Sequence, residues 1–237
     1  MGLVDLNLLT FFPILPIMTF FHFLDLFGTL VFALAGAFKA VKYELDILGV
    51  LILAVFTGVG GGIIRDLILG QVPPGPFTDE SYFVLCLLGG VLVYFLAPRI
   101  ARWWDWIKFA DAIGLGVFAA LGAAKGVEAG LGPLGTVMAG AITATGGGVI
   151  RDILVREMPV VIHADFYATA AALGSLVYYG LDYLGVDSQI ALSITIIFTI
   201  VLRLVAMKYN LHLPKVRRLP LSPGEISLER KKTKHKK

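Results

Sequence analysis

The chain has 237 residues, of which 57% are hydrophobic and 16% charged, against about 45–50% and about 25% in ordinary globular domains. One soluble core of this size does not bury that much apolar surface, so the composition predicts an integral membrane protein and excludes intrinsic disorder. The single cysteine, Cys86, also excludes a disulfide scaffold.

Apolar windows of about 20 residues, the length needed to cross the hydrocarbon layer of a bilayer, predict seven transmembrane helices. In chain order they cover residues 22–42, 46–69, 80–97, 109–127, 132–155, 163–185 and 188–207. Residues 8–20 are also apolar, but Pro13 and Pro16 interrupt them. We therefore expect residues 1–21 to form an N-terminal interfacial segment.

Basic residues are concentrated in the C-terminal tail, residues 208–237. This tail contains ten of the 20 lysines and arginines and two acidic residues, so its net charge is +8 and that of the preceding chain is −5. The first, third and fifth loops carry most of the other basic residues and share a side with the tail, which predicts a cytoplasmic C-terminus and an external N-terminus. A basic tail directly after a span is expected to contact anionic lipid rather than nucleic acid.

The chain contains an internal repeat with an offset of 86 residues. Residues 25–66 align without a gap on residues 111–152, and the matches include charged residues as well as glycines. Each unit contains three spans, so the second copy enters the membrane from the opposite side. We predict an all-α membrane protein with a first three-helix repeat at 22–107, an inverted second repeat at 108–187 and an extra seventh helix at 188–207.

Each repeat carries three consecutive glycines near the middle of a span. The triplets are Gly60–Gly62 in the second span and Gly146–Gly148 in the fifth. Close helix packing needs one glycine per turn, whereas three in a row cost roughly 1 kcal/mol each in helix propensity. The pattern therefore favours glycine-broken second and fifth helices, with freed backbone groups that line a polar cavity, over packing alone.

Charged residues also occur as repeat mates within or near the ends of the spans. Depth counting places half of them toward each membrane face, and their symmetry favours a water-filled path or its ion-paired ends over simple contact with lipid headgroups. Since adjacent residues do not face each other on a helix, each arginine is expected to find its partners on other helices. The set comprises Asp25, Lys39, Arg65, Asp66, Asp111, Lys125, Arg151 and Asp152.

Other chemistries have no support in the sequence. The four histidines show no metal-ligand spacing, and no nucleophile–base arrangement is visible. We therefore predict that the chain is not an enzyme and that it uses no cofactor and no structural metal.

The doubled Gly-Gly-Gly-x-Ile-Arg-Asp motif, with a lysine 21 residues before each triplet, resembles the trimeric intracellular cation channel family. It is also similar to related bacterial membrane domains known as glycine transporters. The resemblance implies seven helices in a 3+3+1 arrangement, a homotrimer and a potassium-permeable pore in each subunit, lined by the second and fifth helices and gated by basic residues. Gly126 follows Lys125 where animal members have glutamate, which indicates the prokaryotic branch and a cell-membrane location.

We therefore interpret the chain as a passive channel for potassium and possible sodium flux, with ions held transiently near the glycine triplets. Two alternatives stay open at this point. The first is a secondary transporter of a small zwitterion such as glycine, whose carboxylate would suit helix N-termini after each break. The second is a non-conducting membrane organiser.

Overall fold

The structure is a computed structural model, and it describes residues 14–100, 104–163, 166–209 and 211. Side chains are described for residues 20–96, 108–162, 166–209 and 211. Most of the predicted interfacial segment and nearly all of the basic tail therefore lie outside the described residues.

Within that part of the chain the structure has nine helices and no strand, which confirms the predicted all-α class. In chain order they are α1 (Ile14–Lys42), α2 (Ile47–Ile68), α3 (Gly75–Thr78), α4 (Ser81–Ile100), α5 (Trp104–Glu128), α6 (Pro133–Leu154), α7 (Val160–His163), α8 (Ala168–Tyr183) and α9 (Ser188–Lys208).

Seven of these described helices have 16 or more residues, and each coincides with one predicted span. Five, namely α1, α2, α5, α6 and α9, contain an apolar segment long enough to cross a membrane. The described apolar part of α4, Ser81–Leu96, is shorter, and α8 has 16 residues. The count of seven spans therefore stays a prediction. Among the described residues, helix α1 covers Ile14–Lys42 and so includes Pro16, one of the two prolines expected to interrupt the preceding apolar segment.

The connections repeat as the sequence does. Helices α1 and α5 are each followed, two residues after they end, by an equivalent left-handed residue, Glu44 (φ 54°) or Gly130 (φ 73°). In the same two connections, α2 begins after the N-cap Asp46, whose carboxylate accepts from the Gly49 amide at 2.7 Å, whereas α6 begins with Pro133 at its first position. A cap and a proline are alternative ways to begin a helix after the same turn.

The long helices form two bundles that meet along α2 and α6. Helices α1, α2 and α4 pack together, as do α5, α6 and α8, and α9 packs on α5 and α8. Lys39, near the end of α1, contacts Asp152 at the end of α6, and Asp111, near the start of α5, contacts Arg151 on that same end of α6. The end of α1 and the start of α5 thus lie at one face, so these two repeat mates run in opposite directions.

We refer below to the Lys39 face, where α1 and α6 end, and to the opposite Lys125 face, where α2 and α5 end. The sequence predicts that the Lys39 face is cytoplasmic.

Candidate functional site

Helices α2 and α6 cross at the two glycine triplets, and both helices are continuous α-helix through them. A Cβ atom on Gly61 would meet the carbonyl oxygen of Thr143, and one on Gly147 would meet the carbonyl oxygen of Thr57. These contacts are reciprocal between repeat mates, so the crossing lies on the pseudo-two-fold axis that relates the repeats.

The predicted glycine-broken helices are therefore wrong for this structure. The glycines allow two helix backbones to touch, and the triplet carbonyls belong to uninterrupted helices. They do not offer the unwound backbone on which the prediction of ion contacts near the triplets depended.

The outer members of each triplet have other neighbours. A Cβ atom on Gly60 would contact the Ile150 side chain at 2.7 Å, and one on Gly146 would contact the Cα atom of Gly61 at 3.2 Å. By contrast, a Cβ atom on Gly62 would lie 3.8 Å from Arg65, with nothing nearer. The third glycine of the first triplet thus leaves space beside the arginine that follows it.

At the Lys125 face, that arginine is part of a buried polar cluster. The Arg65 side chain is 4% exposed, and its Nε donates to Asp66 at 2.8 Å while its Nη2 lies 3.8 Å from the Asp25 carboxylate on α1. The Tyr82 hydroxyl on α4 donates to Asp25 at 3.1 Å. The second oxygen of Asp66 accepts from the Gly75 amide at 2.9 Å, so this carboxylate also fixes the loop that leads to α3.

The Lys39 face carries the repeat mate of this cluster. Arg151 Nε donates to Asp152 at 3.0 Å, and Nη1 donates to Asp111 on α5 at 3.1 Å. Asp152 also accepts from the Val160 amide at 3.0 Å, as Asp66 does from Gly75. Tyr167, which is 2% exposed, occupies the place of Tyr82.

One expectation about these arginines is half wrong. Each does reach a carboxylate on another helix, but each also bonds the aspartate next to it in sequence. The spacing rule for helix faces concerns Cβ positions, and the Arg side chain is long enough to bring its Nε back to the neighbouring carboxylate.

The two clusters differ in what covers them. At the Lys39 face, the guanidinium carbon of Arg203 on α9 lies 4.8 Å from the centre of the Tyr167 ring, a cation–π contact. Helix α9 has no repeat mate among the described helices. None of those helices therefore brings an arginine to Tyr82 in the way that α9 brings Arg203 to Tyr167. At the Lys125 face, a small pocket with a volume of about 10 Å³, partly open to solvent, is lined by Asp25, Thr29, Gly58, Val59, Gly62, Arg65, Gly75, Pro76, Tyr82 and Phe118.

The two lysines that precede the triplets are also unlike each other. Lys39 lies 3.3 Å from Asp152 and forms a second ion pair with Glu157, a residue of the loop after α6. Lys125 is half-buried at the opposite face and forms no ion pair with the side chains that the structure describes.

A further charged group lies near Tyr82, one of the residues that line the pocket at the Lys125 face. The His22 ring contacts the Tyr82 ring at a centroid distance of 6.0 Å, and its Nε2 lies 3.4 Å from the Asp79 carboxylate, just before the start of α4. Hydrogen bonding by Ser81 holds the pKa of the Asp79 carboxyl below its usual range. This carboxylate therefore stays ionised at neutral pH and adds negative charge at this face.

An aromatic pair separates the two clusters. The rings of Phe32 and Phe118 are repeat mates that contact each other at a centroid distance of 5.1 Å, and they are 1% and 2% exposed. Phe118 also lines the pocket at the Lys125 face. The pocket therefore ends on apolar side chains at the pseudo-two-fold axis, next to the glycine crossing.

The structure thus brings the predicted aspartates and arginines together as two symmetric clusters, adds Lys39 to one of them and leaves Lys125 apart. Sequence reasoning missed six residues at these sites. The two tyrosines and the two phenylalanines were visible as repeat matches, whereas the glutamate and the arginine lacked that signal because neither has a like-charged mate. The missed residues are Phe32, Phe118, Tyr82, Tyr167, Glu157 and Arg203.

An inverted pair of helical bundles with buried charges at both ends defines a class of membrane proteins that move solutes, and the similarity to known proteins agrees. A family model described as "Glycine transporter" matches residues 22–98 and 108–183, which are the two repeats. A membrane protein of Deinococcus radiodurans, UPF0126, is 41% identical over 84% of this chain and 93% of its own length. The inner membrane protein YadS of Escherichia coli is 38% identical over 81% and 94%.

Solved structures identify the family more specifically. A TRIC cation channel superposes with a TM-score of 0.79 at 38% identity, over 84% of this chain and 98% of the other. The TRIC trimeric intracellular cation channel orthologue from Rhodobacter sphaeroides gives 0.78 at 36% identity, over 81% and 100%. The chain belongs to the prokaryotic TRIC family, as the motif predicted. Because these relatives are channels and membrane proteins, they also confirm that it is not an enzyme.

Proposed function

We propose that this protein is a passive channel for monovalent cations, potassium above all, with one pore in each subunit of a homotrimer. The observation that carries the proposal is the pair of buried polar clusters, which lie at opposite faces and are related to each other by the pseudo-two-fold axis. The likeness to solved TRIC cation channels supports both the activity and the trimer.

The charges of the pocket at the Lys125 face suit a cation. Asp25 and Arg65 both line it, and Asp66 is a second carboxylate beside Arg65, so the two carboxylates outnumber the one cation. A cation that loses part of its hydration shell there would find carboxylate and tyrosine oxygens in its place. On this proposal ions follow side-chain oxygens from one face to the other, rather than backbone carbonyls at the glycines.

The structure's central constriction corresponds, on this proposal, to a closed channel. The Phe32 and Phe118 rings place apolar surface between the two clusters, and an apolar constriction of this kind excludes water and ions. Opening requires the two aromatic rings to separate, with the basic residues Lys39, Lys125, Arg65 and Arg151 as the charges whose pairing controls the ends of the path.

We further propose seven spans, with α4 and α8 crossing in addition to the five long apolar helices, an external N-terminus and a cytoplasmic tail at a prokaryotic cell membrane. The odd number of spans and the basic tail support this orientation, and the membrane location of the relatives supports the compartment. Anionic lipid is the proposed contact of the tail.

Transport of a small zwitterion is less well supported. That alternative needed helix N-termini exposed after each glycine triplet, and α2 and α6 have no interruption there. The cluster of Asp25, Asp66 and Arg65 contains one carboxylate more than it has cations, which also disfavours the carboxylate of such a solute.

The test is single-channel recording of the purified protein in a planar bilayer under a potassium gradient. Discrete openings that reverse near the potassium equilibrium potential are the expected result. A silent bilayer together with saturable uptake of labelled glycine into proteoliposomes would refute the channel and establish a transporter. A silent bilayer with no uptake would indicate the membrane organiser.

A further inference from the structure

The turns that follow α2 and α6 have the same backbone geometry but different side chains. Each contains a left-handed residue, Gly70 (φ 74°) or Arg156 (φ 58°). The next amide donates back into the helix in both: Gln71 to the Asp66 carbonyl at 2.8 Å, and Glu157 to the Asp152 carbonyl at 2.9 Å. Residues 71 and 157 are therefore structural equivalents, one neutral and one charged.

This difference matches the behaviour of the two lysines. Glu157 pairs with Lys39, and its other oxygen lies 4.0 Å from Lys42 on the same helix end. The equivalent lysine, Lys125, would have Gln71 at the corresponding place, and it forms no ion pair within the described side chains. The lysine at the Lys39 face thus has an ion pair where the turn carries glutamate. The lysine at the Lys125 face has no described ion pair, and its turn carries glutamine.

The Glu157 pair joins two elements that bound the path at the Lys39 face. Lys39 belongs to the last turn of α1, and Glu157 lies directly after α6. The other carboxylate that Lys39 reaches, Asp152, already accepts from Arg151 and from the Val160 amide. Asp152 is therefore shared among Arg151, the Val160 amide and Lys39, whereas the ion pairs of Glu157 are with the lysines at the end of α1 alone among the described residues.

We propose that Glu157 is a positioning residue that clamps Lys39 and closes the pathway at the Lys39 face, and that the Gln71 position leaves the Lys125 face without such a clamp. This inference rests on the proposed channel function. It adds that the two ends of the pathway are controlled unequally, and it identifies the side chain responsible.

The matched test uses the repeat itself as its control. Glu157→Gln gives the second repeat the side chain of the first, and Gln71→Glu does the reverse. Because loss of a partly exposed ion pair costs ~1 kcal/mol, we expect Glu157→Gln to raise the ratio of open to closed time about fivefold. Gln71→Glu supplies Lys125 with a carboxylate and is expected to lower that ratio by a similar factor. Both are measured by single-channel recording of the full-length protein.

A background substitution separates the clamp from a general structural role. In a Lys39→Gln protein the clamp has no partner, so adding Glu157→Gln is expected to leave the open-to-closed ratio unchanged. An unchanged open-to-closed ratio in Glu157→Gln alone would overturn the inference, and so would the same fivefold rise in the Lys39→Gln background. In either case, conductance by the wild type would still support the channel function. A wild type without conductance would instead refute the channel function itself.

A second measurement applies where a variant assembles poorly. The melting temperatures of wild type, Glu157→Gln, Lys39→Gln and the double variant form a thermodynamic cycle that requires no conductance. The clamp predicts that the two single substitutions are non-additive, and strictly additive melting shifts would overturn it.

Discussion

The glycine crossing gives the sharpest prediction, because two adjacent glycines of one triplet face different surroundings. In Gly61→Ala, the added methyl group would overlap the Thr143 carbonyl oxygen of α6. A backbone oxygen inside a helix cannot move alone, so the two helices must shift apart. In Gly62→Ala, the methyl group has only Arg65 at 3.8 Å, an ordinary contact distance.

Both substitutions gain the same helix propensity, roughly 1 kcal/mol for alanine over glycine. Their difference in unfolding free energy therefore isolates the overlap, and overpacking of this kind costs about 1–3 kcal/mol. Because the overlapping neighbour is a backbone atom, the cost of the overlap lies near the upper end of this range. We therefore expect Gly62→Ala to be more stable than Gly61→Ala by about 2–3 kcal/mol.

The assay is the melting temperature of the purified protein in detergent, which is monitored by the loss of the native size-exclusion peak on heating. A chain of this size shifts by about 2–4 °C per kcal/mol, so the two variants should differ by about 4–12 °C. Equal melting temperatures of Gly61→Ala and Gly62→Ala would refute the close backbone crossing. They would instead favour a flexible or broken helix at the glycines. Gly147→Ala is the repeat mate and should behave as Gly61→Ala does.

Three further predictions concern the aromatic pair and the charges. Phe118→Ala removes half of the apolar constriction and should raise the open probability or unitary conductance in bilayers, whereas Phe95→Ala, which removes a ring that is 69% exposed on α4, should change neither. Arg151→Gln removes the ion-pair partner of buried Asp111 and one of the two cations beside Asp152. It should cost about 3 kcal/mol of stability, the lower end of the range for breaking a buried pair; a fall in melting temperature of less than about 2 °C would contradict the buried ion pair. Lys125→Gln should change the unfolding free energy by less than about 0.5 kcal/mol, since no described ion pair is lost. Lys39→Gln should lower it by more, because two ion pairs are lost. Equal shifts in melting temperature for the two variants would contradict the difference between the faces.

The sequence was sufficient to predict the helices and their repeat. Apolar length located all seven long helices because the pattern of a span extends over about 20 residues and tolerates local exceptions. The repeat located Asp25, Arg65 and Asp66 with their mates, since charges within spans are rare and those that occur pair with one another or face water.

The glycine triplets show where the same reasoning fails. Helix propensity is a property of the isolated chain, and it penalises three glycines whatever surrounds them. In the structure, the close approach of α2 to Thr143 and of α6 to Thr57 offsets that penalty through backbone contact, which no count within one helix can include. Tertiary packing overrides propensity here, as it commonly does.

Contacts that have no repeat mate were beyond the sequence for a related reason. Arg203 reaches Tyr167 because α9 packs on α5 and α8, and Glu157 reaches Lys39 because α1 and α6 end at the same face. Both pairs are far apart in the chain. Their proximity follows only from how the helices are arranged.

The position of a residue relative to the pseudo-two-fold axis determines which sites are identical in the two repeats. On the axis, a residue contacts its own mate or its mate's neighbours, as Phe32 and Phe118 do, and as Gly61 and Gly147 do through Thr143 and Thr57. A change in one such residue must be accommodated by its mate, because the two share one close-packed contact, so large and small side chains must be matched across the axis. Away from the axis each end of the molecule has separate partners. Glutamate at position 157 and glutamine at position 71, and an arginine of α9 over only one of the two tyrosines, are therefore compatible with the same backbone. A symmetric fold can in this way keep a common path at its centre while its two ends respond to different conditions.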